Sequence, residues 1–134
     1  MIVADSDVLI DALRGREPAA ERIALELKTG ALATTAVSVF ELLSGAKKQK
    51  ERTLVESLLS ALRVLPLDSL AAEESAEIRR LLGAEGNPLP MADCLIAGIC
   101  RSRDAVLLTR NRRHFERVPG LALGHLESGS APTR

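Results

Sequence analysis

Asp5, Glu41, Asp93 and Asn111 are the residues whose types and placement could do chemistry together in this chain. Asp5 closes a short apolar run, and Asn111 lies just beyond another. Glu41 and Asp93 fall in the opening turns of segments with helical periodicity. In a sheet of parallel strands, the strand C-termini and the N-termini of the helices that cross back meet at one edge. All four side chains are therefore expected on one rim, with Asp7 able to reach the same cleft from the start of its helix. Carboxylates held together repel one another and raise their own proton affinity, so they persist as ionised groups only with cations nearby. Mg²⁺ or Mn²⁺ suits such a set, because these hard ions take oxygen ligands, keep several waters and accept a substrate's phosphate oxygens. Two such ions about 4 Å apart activate an attacking water and stabilise the departing oxygen of an in-line displacement. That is phosphodiester chemistry.

Each of these residues also has an ordinary role open to it. Glu41 fits the N3 place of a capping box begun by Ser38. Asp93 fits a first-turn acid that complements a helix dipole, and Asn111 fits a turn. Asp11 reads as part of a solvated helix face. Asp5 differs, since an acid ending an apolar strand at the ligand-binding edge of an open α/β sheet is more often functional.

The elements that must position these groups follow from the hydrophobic pattern. A strand at the N-terminus feeds a helix through Val8, Leu9, Ala12 and Leu13, and a second helix is predicted over 18–28, with Pro18 at its first position and Gly30 at its end. Residues 32–36 are small and β-branched and predict a strand, followed by a short helix from Ser38 to Gly45. A basic run over 47–52 leads into an amphipathic helix through Leu54, Val55, Leu58, Leu59 and Leu62. Residues 64–67 predict an edge strand, because Pro66 cannot donate to a ladder. Asp68 or Ser69 then caps a helix to Leu82. After the turn-rich 83–90, a helix over 91–103 precedes a strand over 105–109, a short helix near Arg113 and a last strand within 121–126. Strands alternating with helices at this rhythm predict an α/β sandwich around a mostly parallel sheet. One domain over 1–127 and a flexible tail over 128–134 are expected.

The chain has 134 residues, 46% of them hydrophobic, which suffices for one core and not for two ordinary domains. Phe40 and Phe115 are its only aromatic residues, so aliphatic packing supplies the core and base-stacking platforms are excluded. Eighteen basic and eighteen acidic side chains cancel, which excludes holding nucleic acid through overall positive charge. Any nucleic-acid footprint must be local. Cys94 and Cys100 match neither a zinc pair nor a redox motif, and packing is their expected role. With no basic leader and no apolar segment of membrane-spanning length, a cytoplasmic protein without membrane attachment is expected.

At the four acidic positions the sequence resembles the PIN-domain nucleases, in particular the VapC toxins of bacterial toxin–antitoxin pairs. The opening IVADSDVLIDAL resembles the family's first acidic motif, SVFELLSG its second and MADCLIAGIC its third. LLTRNRRHFERVPGL resembles the closing segment. The resemblance runs from Met1 to about Leu126, and its strength lies in the order and joint spacing of the motifs. It implies a PIN-like three-layer α/β/α sandwich with about five strands. It assigns Asp5, Glu41 and Asp93 as metal ligands, Thr109 as a hydrogen-bonding member of the site, and Asn111 to the fourth acidic position. Asn111 stands where many members carry Asp, so a second metal would be held through an amide oxygen or water, or arrive with substrate. Asp7 stands where Ser or Asn is common. His114 reads mainly as a solvated surface residue, with support of the site as its other reading.

The resemblance further implies a Mg²⁺- or Mn²⁺-dependent endoribonuclease acting on structured RNA such as transfer or ribosomal RNA. It implies a homodimer silenced by a cognate VapB-type antitoxin, whose C-terminal segment covers the acidic cleft and through which alone the complex would meet DNA. Six arginines at 101, 103, 110, 112, 113 and 117 lie near the fourth motif. Of these, Arg110, Arg112 and Arg113, with His114, are the candidate RNA contacts, while Arg101 and Arg103 are expected to face an antitoxin or solvent.

Two other classes compete. Asp5-Ser6-Asp7-Val8 also fits the opening of a haloacid-dehalogenase-like phosphatase, but the Lys and late acidic motif that family needs after its Thr are missing here. A non-catalytic module whose acidic rim receives a basic partner peptide is the other alternative, since Asn111 weakens the ligand set.

Overall fold

Alternation lets β1 (Ile2–Ala4) serve two cores at once. Successive strand side chains point to opposite faces, so Val3 joins one apolar cluster and Ala4 the other. β2 (Leu32–Thr35) repeats the pattern, with Leu32 in the cluster of Ala4 and Ala33 in that of Val3. The structure is a computed structural model describing residues 1–127; the tail expected over 128–134 lies outside the described residues. With β3 (Arg63–Leu65), β4 (Val106–Leu108) and β5 (Ala122–Leu123), these strands form a five-stranded sheet in the order β3-β2-β1-β4-β5. Every pairing is parallel. The edge strand β3 stops before Pro66, as a residue without an N–H requires.

Helices cover both faces. On one side α1 (Ser6–Leu13), α2 (Ala19–Thr29), α3 (Ala36–Gly45) and α4 (Gln49–Ser60) contribute Val8, Leu9, Ile23, Leu42 and Val55 to the core around Ala4. On the other, α5 (Ser69–Ala84), α6 (Met91–Ser102) and α7 (Arg112–Phe115) bring Ile78, Leu82, Ile96, Ile99 and Phe115 against Val3 and Leu107. Each such side chain contributes roughly 1.5–3 kcal/mol by leaving water. Cys94 and Cys100 are free thiols buried in the second core, as their packing role anticipates. α5 and α6 touch at Gly98, where a Cβ would stand 1.9 Å from Ser75 Oγ and 2.8 Å from the Ala71 carbonyl. Among the described residues no helix is long and apolar enough to cross a membrane.

One helix start differs from expectation in a way that bears on the site. Ser38 does not cap α3; Thr35 does, its Oγ1 accepting the Ser38 N–H at 3.0 Å. The helix therefore opens earlier than Ser38 and places Glu41 in its second turn. The capping-box reading of Glu41 is overturned.

Candidate active site

Strand register builds the rim. Ala4 pairs with Leu108, so the next residue of each chain segment, Asp5 and Thr109, emerge side by side at the C-terminal edge of the sheet. The Asp5 N–H extends the ladder by bonding the Leu108 carbonyl at 2.9 Å. Asp5 is also the N-cap of α1, its Oδ1 accepting the Ser6 N–H at 2.8 Å, while Oδ2 accepts the Thr109 hydroxyl at 2.8 Å. These bonds orient a carboxylate that is only 6% exposed.

A run of close polar contacts leads from Asp5 to the other predicted residues. Thr109 Oγ1 accepts the Asn111 N–H at 3.0 Å. The Asn111 amide meets His114 Nδ1 at 2.7 Å, and the same Nδ1 lies 2.7 Å from Asp93 Oδ2 in the first turn of α6. Nδ1 has one site for both neighbours: protonated, it donates to the Asp93 carboxylate; unprotonated, it accepts from the Asn111 amide nitrogen. Glu41 joins on the other side, its Oε1 accepting the Ser6 hydroxyl at 3.1 Å. His114 is therefore not a free surface group, contrary to its main reading from sequence. Ser6 was not singled out in the sequence, although its place directly after Asp5 at a helix start was the available signal.

Burial and like charge set the electrostatics. The Asp5 carboxyl is pushed up to about 7, chiefly by burial and then by the neighbouring Asp7 carboxylate, with Glu41 adding to the effect. The Thr109 hydroxyl and Ser6 N–H oppose the rise. Asp7 is raised as well, by burial first and then by Asp11, against the N–H and guanidinium of Arg110. Asp11 is buried rather than on a solvated face, with its Oδ2 3.2 Å from Arg110 Nε and its Oδ1 3.9 Å from Arg16. The solvated-face expectation for Asp11 failed because its counter-charge comes from the far end of the chain.

Among the described residues no three Asp, Glu, His or Cys side chains close around one point, so the rim is open rather than a finished cage. Its donors nevertheless suit a hard divalent cation. All are oxygens, and Asp5 lies beside two further carboxylates that lift its proton affinity. Mg²⁺ in particular is held by one or two carboxylates together with waters and substrate phosphates.

The arginines divide. Arg101 is committed to Glu74, Glu77 and the Pro119 carbonyl, and Arg103 to Asp68, so the antitoxin or solvent contacts expected of them give way to internal pairs. Arg110 turns to Asp11 and Asp7, Arg112 bonds the Gly124 carbonyl, and Arg117 bonds that of Asn87. Arg113 stands exposed. Beside Glu41 a largely apolar groove opens between α1, α3 and α4, lined by Ile10, Leu13, Leu42, Leu54 and Val55.

Comparison with known proteins adds to this geometry. The PIN domain family model matches residues 2–121. A tRNA(fMet)-specific endonuclease VapC of Shigella flexneri is 36% identical over 121 residues, covering 87% of this chain and 91% of that protein. Ribonuclease VapC10 of Mycobacterium tuberculosis is 36% identical over 115 residues, covering 86% of each. Among solved structures, DNA-bound VapBC from Salmonella typhimurium superposes with a TM-score of 0.85 at 31% identity, over 94% of this chain and 98% of that one.

Proposed function

The chain belongs to the PIN-domain family, and from that premise we propose that it is a VapC-type toxin, a divalent-cation-dependent endoribonuclease held silent by a cognate VapB-type antitoxin. The observation that carries this reading is the convergence of Asp5, Thr109, Asn111, His114 and Asp93 through successive close polar contacts, with Glu41 tied in through Ser6. Asp5, Glu41 and Asp93 would hold Mg²⁺ or Mn²⁺. When bound, the ion supplies Lewis acidity that lowers the pKa of water and offsets charge on phosphoryl oxygens. The chain's own groups do the orienting. Thr109 fixes Asp5 through its hydroxyl, Ser6 fixes Glu41, and His114 fixes Asp93 as an outer partner of a ligating carboxylate. Arg113, exposed beside His114 on α7, is placed to grip RNA phosphate.

Transfer RNA is the substrate class we favour over ribosomal RNA, because the Shigella relative is named for a transfer RNA. The groove beside Glu41 gives an antitoxin's apolar segment a path to the rim, and DNA is met only through that partner. The protein acts in the cytoplasm as a homodimer. Expression of the wild-type chain in a bacterium should arrest growth and leave discrete RNA 5′ ends on mapping, whereas Asp93→Ala should do neither. Harmless expression of soluble wild type, with intact cellular RNA, would overturn the toxin reading.

A further inference from the structure

Asp7 has no part in the path that joins Asp5 to Asp93, yet it reaches across the cleft to the loop that carries Thr109 and Asn111. Its Oδ2 accepts the backbone N–H of Arg110 at 3.1 Å, from a residue 103 positions away in sequence. Four residues further along α1, on the same helix face, Asp11 Oδ2 lies 3.2 Å from Arg110 Nε. The connection from Leu108, the end of β4, to Arg112, the start of α7, has no ladder or helix of its own. The N–H groups of Arg110 and Asn111 both find side-chain acceptors instead, Asp7 and Thr109. Asp7 Oδ1 and Asp11 Oδ1 are buried without a hydrogen-bond donor, and Arg110, with Arg16 beside Asp11, supplies the counter-charge to the two carboxylates.

We propose that Asp7 is a positioning residue: by accepting the Arg110 N–H it straps the 109–111 segment to α1, so that Thr109 and Asn111 meet Asp5. The Asp11–Arg110 ion pair is a second, side-chain strap over the first. The proposal rests on the nuclease reading above for its kinetic consequence. Because the donor is a main-chain group, the strap depends on an acceptor oxygen at position 7 and not on the guanidinium at position 110.

The test measures amide hydrogen exchange at Arg110 in the full-length protein, together with single-turnover cleavage of transfer RNA. Asp7→Ala should speed exchange of the Arg110 amide by about 10-fold or more. It should also lower the maximal single-turnover rate by roughly 10–100-fold, the loss expected when reacting groups drift by about 1 Å, with the half-saturating concentration little changed. Asp7→Asn keeps an acceptor oxygen and should restore both readouts. Arg110→Ala should leave the amide protected. A protected amide in Asp7→Ala would overturn the proposal. So would an Asp7→Asn variant as slow as Asp7→Ala, which would make the charge itself the requirement, or loss of protection in Arg110→Ala. The Arg110→Ala arm keeps the Asp7 acceptor and can still overturn the strap if Asp7→Ala does not fold. A wild type that fails to cleave RNA sinks the nuclease reading, while the exchange measurement still tests the strap.

Discussion

Asp5 concentrates the conflict between folding and function at a single side chain. Its carboxyl, ordinarily near 3.8, is lifted to about 7 by burial and by Asp7 and Glu41. The folded chain therefore holds that proton more tightly than the unfolded chain does, and ionising Asp5 costs stability. Below about pH 4 both states are protonated and the cost vanishes; it grows as the pH rises toward 7 and is constant above. Its full size is at most about 4 kcal/mol. In chelator, Asp5→Asn should resist urea better than wild type at pH 8 and match it at pH 4, since Asn also caps helices well. Equal stability of the two proteins at pH 8 would contradict this origin of the shift. Glu41 gives a sharper test of role. With Thr35 as the true cap, Glu41→Gln should leave the unfolding midpoint nearly unchanged yet cut RNA cleavage by more than about 100-fold, beyond the loss typical of an outer partner. Asp5 was legible from sequence because its strand ends at the edge where ligands bind. The partners of Asp11 and His114 were not, because Arg110 and Asp93 reach them through folding and no spacing along the chain reveals it.

At the scale of elements, hydrophobic pattern together with caps, breakers and β-branched runs anticipated each strand and helix, and the differences are confined to their ends. The start of α3 was misplaced because Thr35 closes a run of small and β-branched residues that reads as strand throughout, while Ser38 and Glu41 imitate a capping box. A polar residue that ends a strand and begins a helix belongs to both, and only the N–H it accepts distinguishes the roles. The α5–α6 contact was equally hidden. Gly98 looks like a weak point in a helix, yet it is the site where a second backbone leaves no room for a side chain. Gly98→Ala should destabilise the protein by roughly 1–3 kcal/mol in urea unfolding, because the contacts include the Ser75 N and Ala71 carbonyl of the neighbouring helix. A neutral Gly98→Ala would mean that α5 and α6 separate more freely than their packing implies.

Over the whole molecule, balanced charge leaves RNA recognition to a local surface, and internal pairing of Arg101, Arg103 and Arg110 narrows that surface further. Arg113→Ala should weaken RNA binding and reduce the slope of log affinity against log salt by about 1, as loss of one phosphate contact does. An unchanged slope would assign RNA contact to another face. The parallel sheet explains why so small a chain can assemble a site from four distant segments: Asp5 and Thr109 leave adjacent strands, while Glu41 and Asp93 ride helices returning from the same edge. The decisive measurement is the rate of RNA cleavage by purified protein as Mn²⁺ is titrated, for the wild type, Asp5→Asn and Asp93→Asn. We expect wild-type cleavage to rise with Mn²⁺ and stop with chelator, and both variants to stay inactive at every concentration. Cleavage that persists in chelator, or in either variant, would contradict a site in which these acids hold the reacting cation.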